Sequence, residues 1–208
     1  DYSGHGASHG AFVDGAITDW REDAAAVIDV LTEGPQILVG SSMGGWIALL
    51  LARDMPDRVA AFVGIAAAPD FTERMWEAEL TLAERTTLLE EGVFLRPSDY
   101  SDDPYPITLR LIEDGRQNLV MHGPLPLHMP VRLLQGSADT DVPPTVAISL
   151  FHQITSPDLR LTLVKDADHR FSTPPCLAMI TEAIEDVTRA REALPLDESP
   201  GLKVSNIR

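Results

Sequence analysis

The spacing of apolar residues changes along this chain, and each change marks a predicted element. Trp20, Ala24, Val27, Ile28 and Leu31 form a helical stripe. They predict a helix from Asp19 to about Glu33, with Asp19 as its cap, Glu22 as the capping-box partner and Gly34-Pro35 as its stop. Ile37, Leu38 and Val39 then run without alternation. This predicts a strand over 36–40 that is buried on both faces, as in a parallel sheet. Trp46, Leu49, Leu50 and Arg53 return to helical spacing, which gives a helix from Met43 to about Asp54 before Pro56.

The alternation continues downstream. Val59 to Ile65 reads as a second apolar strand, and Thr72 to Glu91 as a charged helix. Residues 93–129 are proline-rich and irregular apart from a helix near Ile107 to Asp114. Val131 to Gln135 and Leu159 to Val164 are further strands, separated by a helix from Pro144 to about Ile154. A last helix is expected from Pro174 to about Ala193. Repeated alternation of strand and helix predicts an α/β protein with a mostly parallel sheet and helices on both faces. Residues 1–69 and 130–193 are expected to form the core, 70–129 a small cap or lid insertion, and 194–208 a flexible tail.

Ligands of such sheets bind beyond the carboxyl ends of the strands. After the first strand comes Gly40-Ser41-Ser42-Met43-Gly44. A nucleophilic hydroxyl must stand clear of the backbone at a helix N-terminus, on a turn so sharp that the residues two before and two after it must be small. Centring that turn on Ser42 puts Gly40 and Gly44 at the small positions, whereas Ser41 would put Val39 and Met43 there. Ser42 is therefore the candidate nucleophile, and Ser41 a packing or locally hydrogen-bonding residue. A plain glycine-rich turn or a phosphate loop is the alternative; no Lys-Ser/Thr follows, which counts against the phosphate loop. After the third strand, Asp139 is the candidate acid, with Asp141 as its local rival. After the fourth, "KDADHRFS" presents His169. The order Ser, Asp, His is that of a hydrolase triad on such a sheet.

Charge and composition narrow the partners. The chain has 208 residues and a formal net charge of -16, which disfavours nucleic-acid and anionic membrane surfaces. No apolar run reaches the ~20 residues of a membrane span. The single cysteine, Cys176, allows no internal disulfide and reads as a packed small residue. His5 and His9 have a spacing that can suit a metal but no third ligand, so neither metal nor cofactor is expected. The Ala-rich acidic character suits a bacterial cytoplasm.

The stretches "DYSGHGAS", "GPQILVGSSMGGW", "RLLQGSADTDVP" and "DADHR" resemble the α/β-hydrolase family over roughly residues 1–190. Within it they are similar to the group of mitochondrial palmitoyl-protein thioesterases and acyl-glucuronide esterases and its bacterial relatives, which leaves an organelle open as the location. The resemblance implies Ser42 as nucleophile, Asp139 as triad acid, His169 as base and the Met43 N–H as an oxyanion donor. It implies a small-molecule acyl ester or thioester as substrate, cleaved through an acyl-enzyme, with homo-oligomerisation left open. A non-catalytic binding protein, a haloperoxidase or a C–C hydrolase on the same fold are the alternatives. Phe71, Met75, Trp76, Leu80, Phe94 and Met121 of the insertion could line a lid or pack a cap; packing is the default. The strands read here match only the last four of the family's eight. The opening loop "DYSGHGASHG" has no element before it. The expectation is that about the first quarter of the core, with the second oxyanion donor, lies upstream of Asp1, and that these 208 residues alone would catalyse poorly.

Overall fold

A computed structural model describes residues 1–97 and 104–192. The expected tail at 194–208 lies outside them. Helix α1 spans Ile17–Leu31, and β1 (Gln36–Ser41) leads into α2 (Met43–Asp54) and β2 (Val59–Ile65). The insertion follows with α3 (Phe71–Arg74), which runs on into a wider helical turn at Met75–Glu79. It continues with α4 (Leu82–Glu91), β3 (Val93–Arg96), β4 (Tyr105–Thr108) and α5 (Leu109–Gly115). The core resumes with β5 (Val131–Gly136), α6 (Pro144–Gln153), β6 (Leu159–Val164) and α7 (Pro174–Glu192).

Strands β1, β2, β5 and β6 form one parallel sheet in that order. Crossovers that always step the same way place their helices on one face. Accordingly α2 and α6 share a face with Leu38, Phe62, Val131, Leu133 and Leu161, and α1 packs behind α2. The chain turns back after β6, so α7 covers the opposite face over Ala61, Val63, Ile65 and Leu134. Cys176 is buried there. Among the described residues no helix is long and apolar enough to cross a membrane.

Several expected elements are corrected. β1 is not buried on both faces: it forms one edge of the sheet, and Val39 is 47% exposed. A concavity of about 470 Å³, lined by Val27, Ile28, Leu38, Val39, Ile47 and Leu51 among others, runs along that edge. Asp19 does not cap α1. Ala16 holds the cap position, and Asp19 is the third helical residue, whose carboxylate accepts from the Ala16 N–H. The charged helix over 72–91 is two pieces, because Thr81 and Glu84 form a reciprocal capping box that starts α4 afresh. The irregular stretch after it contains the antiparallel pair β3–β4. The insertion's apolar residues pack on one another: Met75, Leu80, Leu88, Ile107 and Ile112 form a cluster flanked by Phe71, Trp76 and Phe94.

Arg132 on β5 ties α7 to the sheet. Its side chain is 5% exposed and donates to Asp186 at 2.6 Å and Asp158 at 2.9 Å. Removing one partner of a buried ion pair leaves a charge poorly compensated. Asp186→Ala is expected to lower stability by roughly 2 kcal/mol in denaturant titration, less than for a wholly orphaned charge because Asp158 remains. The hydrogen bond from Arg132 holds the Asp186 carboxyl below its ordinary 3.8. A depressed acid stabilises the fold above its unfolded value and loses that contribution as pH falls through the folded one. The difference between wild type and variant should therefore persist above pH 3.8 and shrink below it. A gap that stays constant at lower pH would contradict this.

Candidate active site

Parallel strands place all four carboxyl ends at one edge, and the three candidate residues follow three of them. Ser42 joins β1 to α2 with φ 50° and ψ -122°, a region side chains rarely adopt. Such a backbone persists only when its surroundings over-determine it. Here the Ser42 N–H donates to the Ile65 carbonyl, while the Ser42 carbonyl accepts from Ala68 and Gly45. The adjoining strand end thus clamps the turn from both sides. Ser41 is exposed.

The small-residue rule holds at Gly40 as expected, but its second position is shifted by one residue. A Cβ on Gly40 would collide with the Gly44 carbonyl, so that glycine is required. A Cβ on Gly44 would meet only the Tyr2 hydroxyl at 3.9 Å, an ordinary contact. It is Gly45 that has no room, because its Cβ would lie 2.6 Å from that of Ala67. The pentapeptide pattern therefore picked out the serine that sits at the sharp turn but assigned one glycine too early.

His169 and Asp139 meet Ser42 in line. The Ser42 Oγ lies 3.1 Å from His169 Nε2, and His169 Nδ1 lies 2.9 Å from Asp139 Oδ2. A carboxylate only accepts, so Nδ1 carries the proton and Nε2 is free to accept from the serine hydroxyl. The Asp139 side chain is fully buried and that of His169 is 16% exposed. Burying a carboxylate demands donors. Asp139 Oδ1 accepts from the Asp141 and Val142 N–H groups at 3.0 and 2.8 Å, and Oδ2 from Gln135 Nε2 at 2.8 Å. Asp141, the rival acid, supplies a backbone donor to Asp139. Gln135 escaped the sequence analysis, for it reads there only as the polar end of a strand.

The loop carrying His169 is held against the loop carrying Asp139. Ser137 N–H donates to the Val164 carbonyl, Ala138 N–H to Ala167, and Asp166 N–H to the Ser137 hydroxyl. A Cβ on Gly136 would strike the Ala167 carbonyl. Phe171, fully buried against α7, anchors the far side at a positive φ of 50°.

Met43 is the first residue of α2, and its N–H is one of the helix's opening donors without an intrahelical acceptor. A cavity of about 320 Å³ is lined by Asp70, Arg74, Leu119, Met121, His122 and Val146, among others, and by none of Ser42, Met43, Asp139 or His169. Arg74 Nη2 donates to the Asp141 carbonyl, linking this wall to the acid loop. Of the other histidines, His5 packs edge-on against Tyr2, Phe12 and Trp20. Among the described residues, Asp139, Asp141 and His169 have side-chain atoms within 4.8 Å of one another, a spacing open to a metal. Two of the three are already bonded to each other.

The model of the alpha/beta hydrolase family matches residues 1–187. Palmitoyl-protein thioesterase ABHD10, mitochondrial, from Bos taurus is 35% identical over 188 residues, which is 90% of this chain and 61% of that protein. The Homo sapiens protein of the same name is 34% identical over the same shares. The chain thus spans about 61% of the length of the curated relatives it matches. Among solved structures, a protein from Agrobacterium vitis S4 designated a hydrolase aligns with a TM-score of 0.87 at 47% identity, over 90% of this chain and 74% of that one. Alpha/beta hydrolase domain-containing protein 10 from mouse aligns with a TM-score of 0.83 at 34% identity, over 91% and 76%.

Proposed function

The chain belongs to the alpha/beta hydrolase family, and from that premise we propose that it is a serine hydrolase cleaving carboxylic esters or thioesters of hydrophobic acyl groups. The observation that carries the proposal is the relay from Ser42 through His169 to Asp139, with steps of 3.1 and 2.9 Å. Both are hydrogen-bond distances within reach of proton transfer.

In this mechanism Ser42 Oγ attacks the acyl carbonyl as His169 Nε2 takes its proton. Asp139 keeps the imidazole in the competent tautomer and stabilises its charged form. The Met43 N–H donates to the oxyanion of the tetrahedral intermediate, a contribution worth ~3 kcal/mol per donor. Collapse expels the alcohol or thiol, and His169 returns the proton where the leaving group needs one. Water, activated by the same histidine, then attacks the acyl-enzyme and frees Ser42.

The relatives' designation makes an S-palmitoyl protein thioester the first substrate to test. The same designation favours a mitochondrial location, and it gives the cytoplasmic expectation no support. A non-catalytic binder would not need the relay, so the relay argues against that alternative. The test is a panel of p-nitrophenyl esters, acyl-CoA and acyl-peptide thioesters of increasing chain length, run on the full-length protein. Turnover that rises with acyl length supports the reading. Absence of turnover together with absence of fluorophosphonate labelling overturns it.

A further inference from the structure

Gln135 is the penultimate residue of β5 and bonds the candidate acid, with no solvent exposure. Its Nε2 donates to Asp139 Oδ2 at 2.8 Å and to the Val142 carbonyl at 3.1 Å. Exchanging its amide nitrogen and oxygen would set the oxygen against two acceptors, so the amide orientation is fixed. The consequence falls on the other end of the amide: Oε1 is buried without a hydrogen-bond partner among the described residues. A buried orphan acceptor destabilises a fold, and an apolar residue of the same length would remove it. What the position gains for that cost is the amide's two donor bonds, one of them to the candidate acid.

We propose that Gln135 is a positioning residue for the relay. The oxygen it binds is the one that accepts the hydrogen bond from His169 Nδ1. The two backbone donors fix Oδ1, and Gln135 fixes Oδ2, so the carboxylate cannot rotate about its last bond. The imidazole is thereby aimed at Ser42. Gln135 also bonds the Val142 carbonyl, and so holds both ends of the Asp139–Val142 turn.

This inference rests on the proposed catalytic roles of Ser42, His169 and Asp139, and its test separates the two. Gln135→Met keeps length and removes the donor. The expected result is a fall in kcat of roughly tenfold to a hundredfold, the effect of losing one hydrogen bond to a charged group. KM should stay within about twofold, because the substrate does not touch this residue. The melting temperature should fall by no more than about 6 °C, since losing the orphan Oε1 offsets part of the cost of leaving the Val142 carbonyl without its donor.

Gln135→Glu is the second variant. Two carboxyls at that distance must share a proton. While the introduced carboxyl holds it, its hydroxyl replaces the amide donor; when that carboxyl ionises, the donor is lost. The expected pH profile of kcat gains an alkaline limb that wild type lacks. The charged groups around the position are Asp139 and Asp141 on its own loop, His169 with Asp166, Asp168 and Arg170 on the facing loop, and Arg74 from α3. Wild-type kcat in Gln135→Met, or a fall in kcat matched by a large loss of melting temperature, overturns the inference. Should Gln135→Met not fold, a Gln135→Glu profile parallel to wild type overturns it. Turnover that survives Ser42→Ala overturns the underlying reading instead.

Discussion

Ser42→Ala is expected to reduce ester or thioester turnover by about 10^6-fold, the loss typical when a nucleophile is removed from a working relay. The strained turn should survive the change. Its hydrogen bonds from Ala68 and Gly45, and to Ile65, are all backbone bonds that alanine keeps. The substitution therefore removes one oxygen and little else, and the melting temperature should hold. Labelling by a fluorophosphonate probe should vanish at the same time, because the probe needs the same oxygen. Labelling that persists in Ser42→Ala would assign the nucleophile elsewhere, and the exposed Ser41 would be the first residue to examine.

Asp139→Asn is expected to lower kcat by about 10^4-fold through the wrong histidine tautomer. The geometry dictates which way the new amide turns. The Asp141 and Val142 N–H groups require an acceptor at the Oδ1 position, so the asparagine oxygen stays there. Its NH2 then takes the place of Oδ2 and faces two donors, Gln135 Nε2 and His169 Nδ1. The imidazole can relieve this conflict only by moving its proton to Nε2. That nitrogen then cannot accept from Ser42. Steady-state kinetics should show the loss in kcat with KM little changed. If the Asn variant retains more than about a tenth of wild-type kcat, Asp139 is not the residue that sets the tautomer.

Much of the fold could be read because its signals are local. Val59 to Ile65 is apolar at nearly every position, and it proved to be a central strand buried throughout. Gln36 to Val39 carried the same kind of signal, yet β1 is an edge. An apolar run reports that a strand's side chains avoid water, not which of its two edges is paired. The break at Thr81 was present in the sequence as Thr-x-x-Glu, but surrounding helix-forming residues masked it. The β3–β4 pair had no clear signal, because strands of four residues are too short to display a period. Gln135 had none at all, since its role depends on a partner four residues away that is fixed by the turn.

The sequence by itself determined the order of the core strands and helices and which serine sits at the sharp turn. Both follow from period and from steric exclusion within a few residues. Only the tertiary structure decided that the site closes. β1 and β6 are the two edges of the sheet, and three strand spacings separate their ends by roughly 14 Å. Following a strand end puts His169 on the right rim but not beside Ser42. The loop must reach back across β5 and β2, and it does so because Gly136 admits the Ala167 carbonyl, Ser137 holds Asp166, and Phe171 is sunk beneath it. These are contacts between segments far apart in sequence, and no local pattern encodes them.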